Sequence, residues 1–395
     1  MPVYLDHAAT TPMLPEVREA FVDALGLVGN PSSIHGHGQN ARRMLEEARE
    51  QVAASLGCDP VEVVFTSGGT EAVNSAVKGL FWSRNAPHAG RVGSGASVSR
   101  PRPRVLVPRG EHHATIDTVE WLERNAGAAV EWLPIDGDGR IEVEAVASAL
   151  QEHDDIALLT FLWANNEVGT IQPVEELTAL AGAHGVPVHI DAVSAYGHLP
   201  VSLRESGAAA ISVSAHKIGG PLGIGALALA RTTHIEALLH GGGQQRGVRS
   251  GTQDAPAAVG FGVAAQHPLS SLTPLRETLI EGVLAAVPGA VLRGDREVRL
   301  DNNAHFTFEG CQGDSLLLML DMAGISASTG SACQAGVPEP SHVLLAMGLS
   351  EEESRSALRF TLGQDSSADD VAALLAALPS AVERARRAGS SARPV

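Results

Sequence analysis

The chain has 395 residues, long enough for two lobes around a large buried core. Its hydrophobic content of 44% is that of a globular protein, and its net charge of −17 argues against an extended nucleic-acid footprint. No apolar run reaches membrane-spanning length, and the start MPVYLDHAATTP lacks the shape of a signal peptide.

In chain order, VEVVF (61–65) reads as a strand and TSGGTEAVNSAVKGLFW (66–82) as a glycine turn opening a helix. NAPHAGRVGSGASVSRPRPR (85–104) reads as a surface insertion. RVLV (104–107) is a strand, followed by a helix around TIDTVEWLERN. IALLTFLW (156–163) is a buried strand with VEELTALAGAHG (174–185) as its helix. VPVHID (186–191), AISVS (210–214) and GALALA (225–230) are further short strands. Strands alternating with helices predict an α/β fold with a mainly parallel sheet covered on both faces, and ligands beyond the carboxyl ends of its strands. After about residue 260 helices with a few strands suggest a second lobe. RARRAGSSARPV reads as a helix end and a frayed terminus.

Lysine occurs only at Lys78 and Lys217, so any lysine chemistry uses one of them. Lys78 lies mid-helix and reads as a solvated side chain. Lys217, in SVSAHKIGGPLGIG, sits between an apolar strand and a glycine-rich turn, at a sheet edge where a ligand would bind. Asp191 ends the preceding strand, either as a turn-capping carboxylate or as the partner of a protonated ring nitrogen. Pyridoxal phosphate requires such a lysine and such an acid. TSGGTEA supplies Gly69, Thr70 and free N–H groups at a helix start, a cradle for phosphate, and Ser214 and His216 could add donors. His112 and His113 lack the partner spacing of a metal site. Asn165 and Asn166 have the default of turn residues, whereas Arg359 in the apolar LRFTLG calls for an anionic partner.

Together YLDHAATTP, TSGGTEA, EHHATIDT, ANNEVGT, HIDA, SAHKIGGPLGIGAL, HGGGQQRGVRSGT, STGSAC and LRFTLG resemble the pyridoxal-phosphate cysteine desulfurases of the NifS/IscS group, in the class V aminotransferase superfamily. The resemblance implies a type I, aspartate-aminotransferase-like fold, with a seven-stranded cofactor lobe (16–260) and a smaller α+β lobe (1–15 and 261–395). It implies a homodimer that takes L-cysteine and passes sulfur to acceptor proteins, such as an iron–sulfur scaffold or a thiolation enzyme, with no direct nucleic-acid or membrane binding. Lys217 would form the Schiff base, Asp191 pair with the pyridinium, and His112 stack on the ring and move a proton. Gly69, Thr70, Ser214 and His216 would hold the phosphate, with Thr252 reaching the phosphate of the neighbouring subunit. Asn165 and Arg359 would receive the substrate carboxylate, with Asn165 also beside the cofactor. Cys333 would accept sulfur as a persulfide, with transient iron–sulfur ligation there the sole metal chemistry implied.

The small neighbours of Cys333 in STGSACQAG suit a thiolate that must be exposed and must travel. Cys58 and Cys311 read as packing or surface residues, and three widely spaced cysteines fit a reducing cytoplasm. Two departures stand out. Ser194 replaces the glutamine that the family usually sets against the cofactor's phenolic oxygen, and Gln334 replaces a small hydroxyl residue. The competing functions are another class V pyridoxal-phosphate enzyme, such as an aminotransferase or a selenocysteine or cysteine-sulfinate lyase, and a cofactor-free scaffold.

Overall fold

A computed structural model describes residues 2–85, 100–267, 270–330 and 339–391. A seven-stranded sheet forms the centre, in spatial order Val63–Thr66, Gly225–Leu229, Ala210–Ser214, Val188–Asp191, Ile156–Leu162, Arg104–Pro108 and Ala129–Leu133. Gly225–Leu229 runs antiparallel to both neighbours; the other pairings are parallel. The mainly parallel sheet expected from the alternating pattern is therefore present.

Period-two alternation splits each strand between two cores. Val105 and Val107 pack with Ala72, Val73, Val77 and Val119 from the helices Gly69–Asn85 and His113–Ala126. Leu106, Phe161 and Ile190 point the other way, towards Leu45, Leu177 and Phe261. Three polar residues on adjacent inner strands satisfy one another: His189 bridges Thr160 Oγ1 and Ser212 Oγ at 2.8 Å each. Such pairing removes most of the cost of burying them.

A separate core joins Val3 and Leu5 to Leu279, Phe306, Phe308, Leu358, Phe360 and Leu374. Its antiparallel sheet runs Ala357–Thr361, Asn303–Phe308, Ala290–Arg293, and Val3–Tyr4 pairs with Ile325–Ser326. The N-terminus thus packs against late parts of the chain. The expected boundary at 260 falls inside the helix Ala255–Gln266, whose Phe261 and Ala264 belong to the core of the large sheet.

The strand 61–65 begins two residues late, because Pro60–Glu62 is a 3-10 turn closed by an Asp59–Glu62 capping box. The edge strand Ala129–Leu133 carries no strong signal, since four of its five residues are only half-buried.

Candidate active site

A cavity of about 380 Å³ opens beyond the carboxyl ends of the central strands. Gly69, Thr70, His112, Asp191, Ser194, Ser214, His216, Lys217 and Arg359 all line it. These residues span 290 positions of sequence; all but Arg359 lie at or shortly after the ends of strands of the large sheet, and Arg359 joins them from the strand Ala357–Thr361 of the smaller sheet.

Lys217 ends a 3-10 turn, Ala215–Lys217, that follows the strand Ala210–Ser214 directly. Its Nζ donates to the Ala8 carbonyl and, at 3.1 Å, to the Ala9 carbonyl. Burial first, then the Arg359 guanidinium, pushes its pKa down to about 8, against the pull of Asp6 and Asp191. Asp191 is buried, and its Oδ1 accepts from Val193 N at 2.9 Å. Burial lifts its pKa to about 6, over the opposing effects of the Val193 N–H and Lys217. A cation beside it would hold it ionised.

His112 caps the helix His113–Ala126, and its Nδ1 accepts from Ala114 N at 3.0 Å. A neutral ring there carries its proton on Nε2. Burial, then Lys217, lowers its pKa to about 4, and the same two causes lower His216 to about 4.

The cavity fits pyridoxal phosphate on observations of its own. The Ser214 Oγ is buried with no hydrogen-bond partner among the described residues, beside the start of the helix Gly69–Asn85. An orphaned donor facing free helix N–H groups is the arrangement an anion completes. Gly69 keeps the cradle open, because a Cβ there would lie 2.7 Å from Val193 Cγ2.

Arg359 is buried in the strand Ala357–Thr361. Its Nη1 donates to the Asn166 carbonyl at 2.7 Å and its Nη2 to Asp6 Oδ1 at 2.9 Å, while Nε has no partner among the described residues. Opposite it on the neighbouring strand lies His305, buried, with neither ring nitrogen partnered among the described residues and a pKa lowered to about 3, mainly by burial.

Asn165 requires a correction. Its side chain does not reach the cavity: Nδ2 donates to the Gly110 carbonyl at 2.9 Å, and Oδ1 accepts from Glu167 N and Val168 N. It staples the turn, and Asn166 lines the cavity instead. Adjacent asparagines differ by one residue in sequence but point to opposite sides. Thr252 is exposed and does not line the cavity of its own chain. Cys333 and Gln334 lie outside the described residues, as does most of the 85–104 insertion. Both flanks of the Cys333 segment border the cavity, at Gly330 and His342. Ser328 pairs with Arg359 through both backbone groups, and Ser341 Oγ donates to Glu167 Oε2 at 2.5 Å.

The motifs alone assign no site role to Asp6, Asn166, Glu111 or His342. Glu111 is buried, with Oε1 accepting from Leu162 N at 2.9 Å and Oε2 unpartnered among the described residues, and burial raises its pKa. His342 Nε2 meets the Glu111 carbonyl at 2.8 Å. Asp6 was within the quoted YLDHAATTP, but only the fold shows which charge it meets. The other thiols stay buried or half-buried: burial pushes Cys58 up to about 12 and raises Cys311.

Comparisons with known proteins identify the family. The family described as Aminotransferase class-V matches residues 3–374. An IscS-like cysteine desulfurase of Mycobacterium tuberculosis (strain ATCC 25618 / H37Rv) is 50% identical over 98% of this chain and 98% of its own length. A solved NifS-like protein superposes with a TM-score of 0.87 at 32% identity, covering 97% of this chain and 100% of that one. A structure described as SspA in complex with cysteine gives 0.80 at 32% identity, over 92% and 99% of the two chains. The chain belongs to the class V aminotransferase family and, within it, to the cysteine desulfurases.

Proposed function

We propose that this protein is a pyridoxal-phosphate-dependent cysteine desulfurase that converts L-cysteine to L-alanine and passes the sulfur to an acceptor. The observation that carries the reading is the convergence of Lys217, Asp191 and Arg359 on one cavity beside the orphaned Ser214 hydroxyl. Relatedness to a cysteine desulfurase along the whole chain, and likeness to a structure described as a complex with cysteine, support the substrate.

In this reading Lys217 would carry the cofactor, Asp191 would pair with its ring nitrogen, His112 would stack on the ring, and Gly69, Thr70, Ser214 and His216 would hold the phosphate. Bound pyridoxal phosphate supplies an aldehyde for amine capture and a cationic ring that draws electrons from the substrate's Cα. Arg359 takes the substrate carboxylate by a charge-assisted fork. Lys217, with its pKa near 8, takes the proton from Cα as a free amine. Neutral His112 offers Nε2–H as a proton source near the substrate thiol. Cys333 attacks the substrate sulfur as thiolate: an S–S bond forms, the Cβ–S bond breaks and leaves its electron pair on Cβ, and a proton delivered from Nε2 of His112 completes the methyl group of alanine. Ser194 leaves a shorter contact than glutamine for the phenolic oxygen, which a bridging water would complete.

A second copy belongs to this reading. Val22, Leu25 and Leu222 are exposed, on segments that meet where Phe21, Pro221 and Gly260 touch. Thr252, exposed on its own chain, would serve the other subunit. No helix among the described residues is long and apolar enough to cross a membrane, and a reducing cytoplasm suits a persulfide. The acceptor is a protein thiol or scaffold, in iron–sulfur assembly, tRNA thiolation, DNA phosphorothioation or thio-metabolite synthesis. The test incubates purified protein with L-cysteine and measures alanine and sulfide. Alanine should form in wild type and not in Lys217→Ala; transamination to a keto acid would overturn the reading.

A further inference from the structure

The N-terminal segment that follows Val3–Tyr4 lies across both cations of the site. Asp6 Oδ1 takes Arg359 Nη2 at 2.9 Å, and the carbonyls of Ala8 and Ala9 take Lys217 Nζ. Thr10 Oγ1 meets His216 Nδ1 at 3.3 Å, and Thr361 Oγ1 receives the Ala8 N–H at 2.8 Å. The segment is therefore fixed from below, and Asp6 is held over Arg359.

The ion pair is unequal in a way that matters. The Arg359 side chain is 5% exposed and that of Asp6 is 21% exposed. Arg359 cannot leave without losing the Asn166 carbonyl and stranding a buried charge. Asp6 can rotate towards water. The fork is also half-filled: a carboxylate can take Nε and Nη2 together, yet among the described residues only Nη2 of the two is paired and Nε is buried without a partner. A carboxylate that reaches both nitrogens has to move Asp6 aside.

We infer that Asp6 is an internal competitor for the substrate's carboxylate, seated on Arg359 in the resting site and exchanged for the α-carboxylate when the amino acid enters. The inference rests on Arg359 as the carboxylate receptor. It assigns Asp6 two effects. It neutralises a buried guanidinium while no substrate is present, and it sets the affinity for the product carboxylate, so that alanine leaves readily. Only a ligand satisfying both Nε and Nη2 gains enough to displace it, which favours a planar α-carboxylate over a single-point anion.

The test measures binding of 3-mercaptopropionate, which has the carboxylate and thiol but no amine, to the pyridoxal-phosphate-loaded protein by calorimetry. Wild type is compared with Asp6→Asn, Asp6→Glu and Arg359→Ala. Asp6→Asn keeps the shape and removes the charge, and should bind about tenfold more tightly, the order expected on losing one competing charge-assisted hydrogen bond. Asp6→Glu, which retains a competitor, should stay weaker than Asp6→Asn and shows that a charge at position 6 is tolerated by the fold. Unchanged or weaker binding in Asp6→Asn overturns the inference. Arg359→Ala should abolish binding; if it does not, the reading of Arg359 itself fails, independently of Asp6. Loss of binding in Arg359→Ala without tightening in Asp6→Asn sinks the Asp6 inference alone.

Discussion

Arg359→Gln tests the electrostatics of the site through Lys217. Burial is the largest cause of the lowered Lys217 pKa, and the Arg359 guanidinium is the second. Removing that guanidinium leaves Asp6 and Asp191, both of which favour the protonated amine. The pKa of Lys217 should therefore rise from about 8 towards its ordinary 10.5. The consequence is large, because only the free base is nucleophilic. At pH 7.5 an amine of pKa about 8 is roughly one-quarter free base, while one at 10.5 is about one part in a thousand. The assay is acetic anhydride labelling of cofactor-free protein across a pH series, with the two lysines resolved by peptide mass spectrometry. Wild-type Lys217 should label with a midpoint near 8, and its labelling at pH 7.5 should fall about tenfold for each unit of increase in Arg359→Gln. The linked stability has a definite sign. The depressed pKa means that the unfolded chain binds more protons between about 8 and 10.5, so cofactor-free protein gains stability as pH rises through that window. A wild-type midpoint near 10.5, or a downward shift in Arg359→Gln, would refute the reasoning.

Ser214→Ala removes a hydroxyl that has no protein partner, so cofactor-free protein should melt at an unchanged or slightly higher temperature while pyridoxal-phosphate affinity falls about tenfold. Gly69→Ala forces a methyl to within 2.7 Å of Val193 Cγ2 and should weaken cofactor binding, with Val193→Ala in the same chain restoring part of it. Asn165→Ala strands the Gly110 carbonyl and two turn N–H groups, so urea unfolding should show a loss of about 2–4 kcal/mol. The same change should raise KM more than it lowers kcat, because the neighbouring Asn166 carbonyl steadies Arg359.

The sheet was legible because buried parallel strands are continuous apolar runs, as in IALLTFLW, and because each is punctuated by a helix. Lys217, Asp191 and Gly69 were legible because strand ends and glycine turns announce themselves in the residues. Ala129–Leu133 was not, since an edge strand buries too little to enforce a pattern. Asn165 and Asn166 could not be told apart by sequence, because the identity of the inward side chain depends on which one meets the Gly110 carbonyl from another strand's end. Asp6 and Arg359 are 353 positions apart, and no local pattern couples them. The orphaned atoms at Ser214, Arg359 and Glu111 are likewise properties of packing, visible only when every neighbour is placed.

On the proposed function, Cys333 receives the substrate's sulfur. Purified protein is mixed with L-cysteine, quenched by alkylation without reductant, and the Cys333 peptide is weighed. A peptide heavier by one sulfur atom should form together with alanine, and should be absent in Cys333→Ala and Lys217→Ala. Full sulfur transfer to an acceptor by Cys333→Ala, or the added sulfur on Cys58 or Cys311 instead, would contradict it.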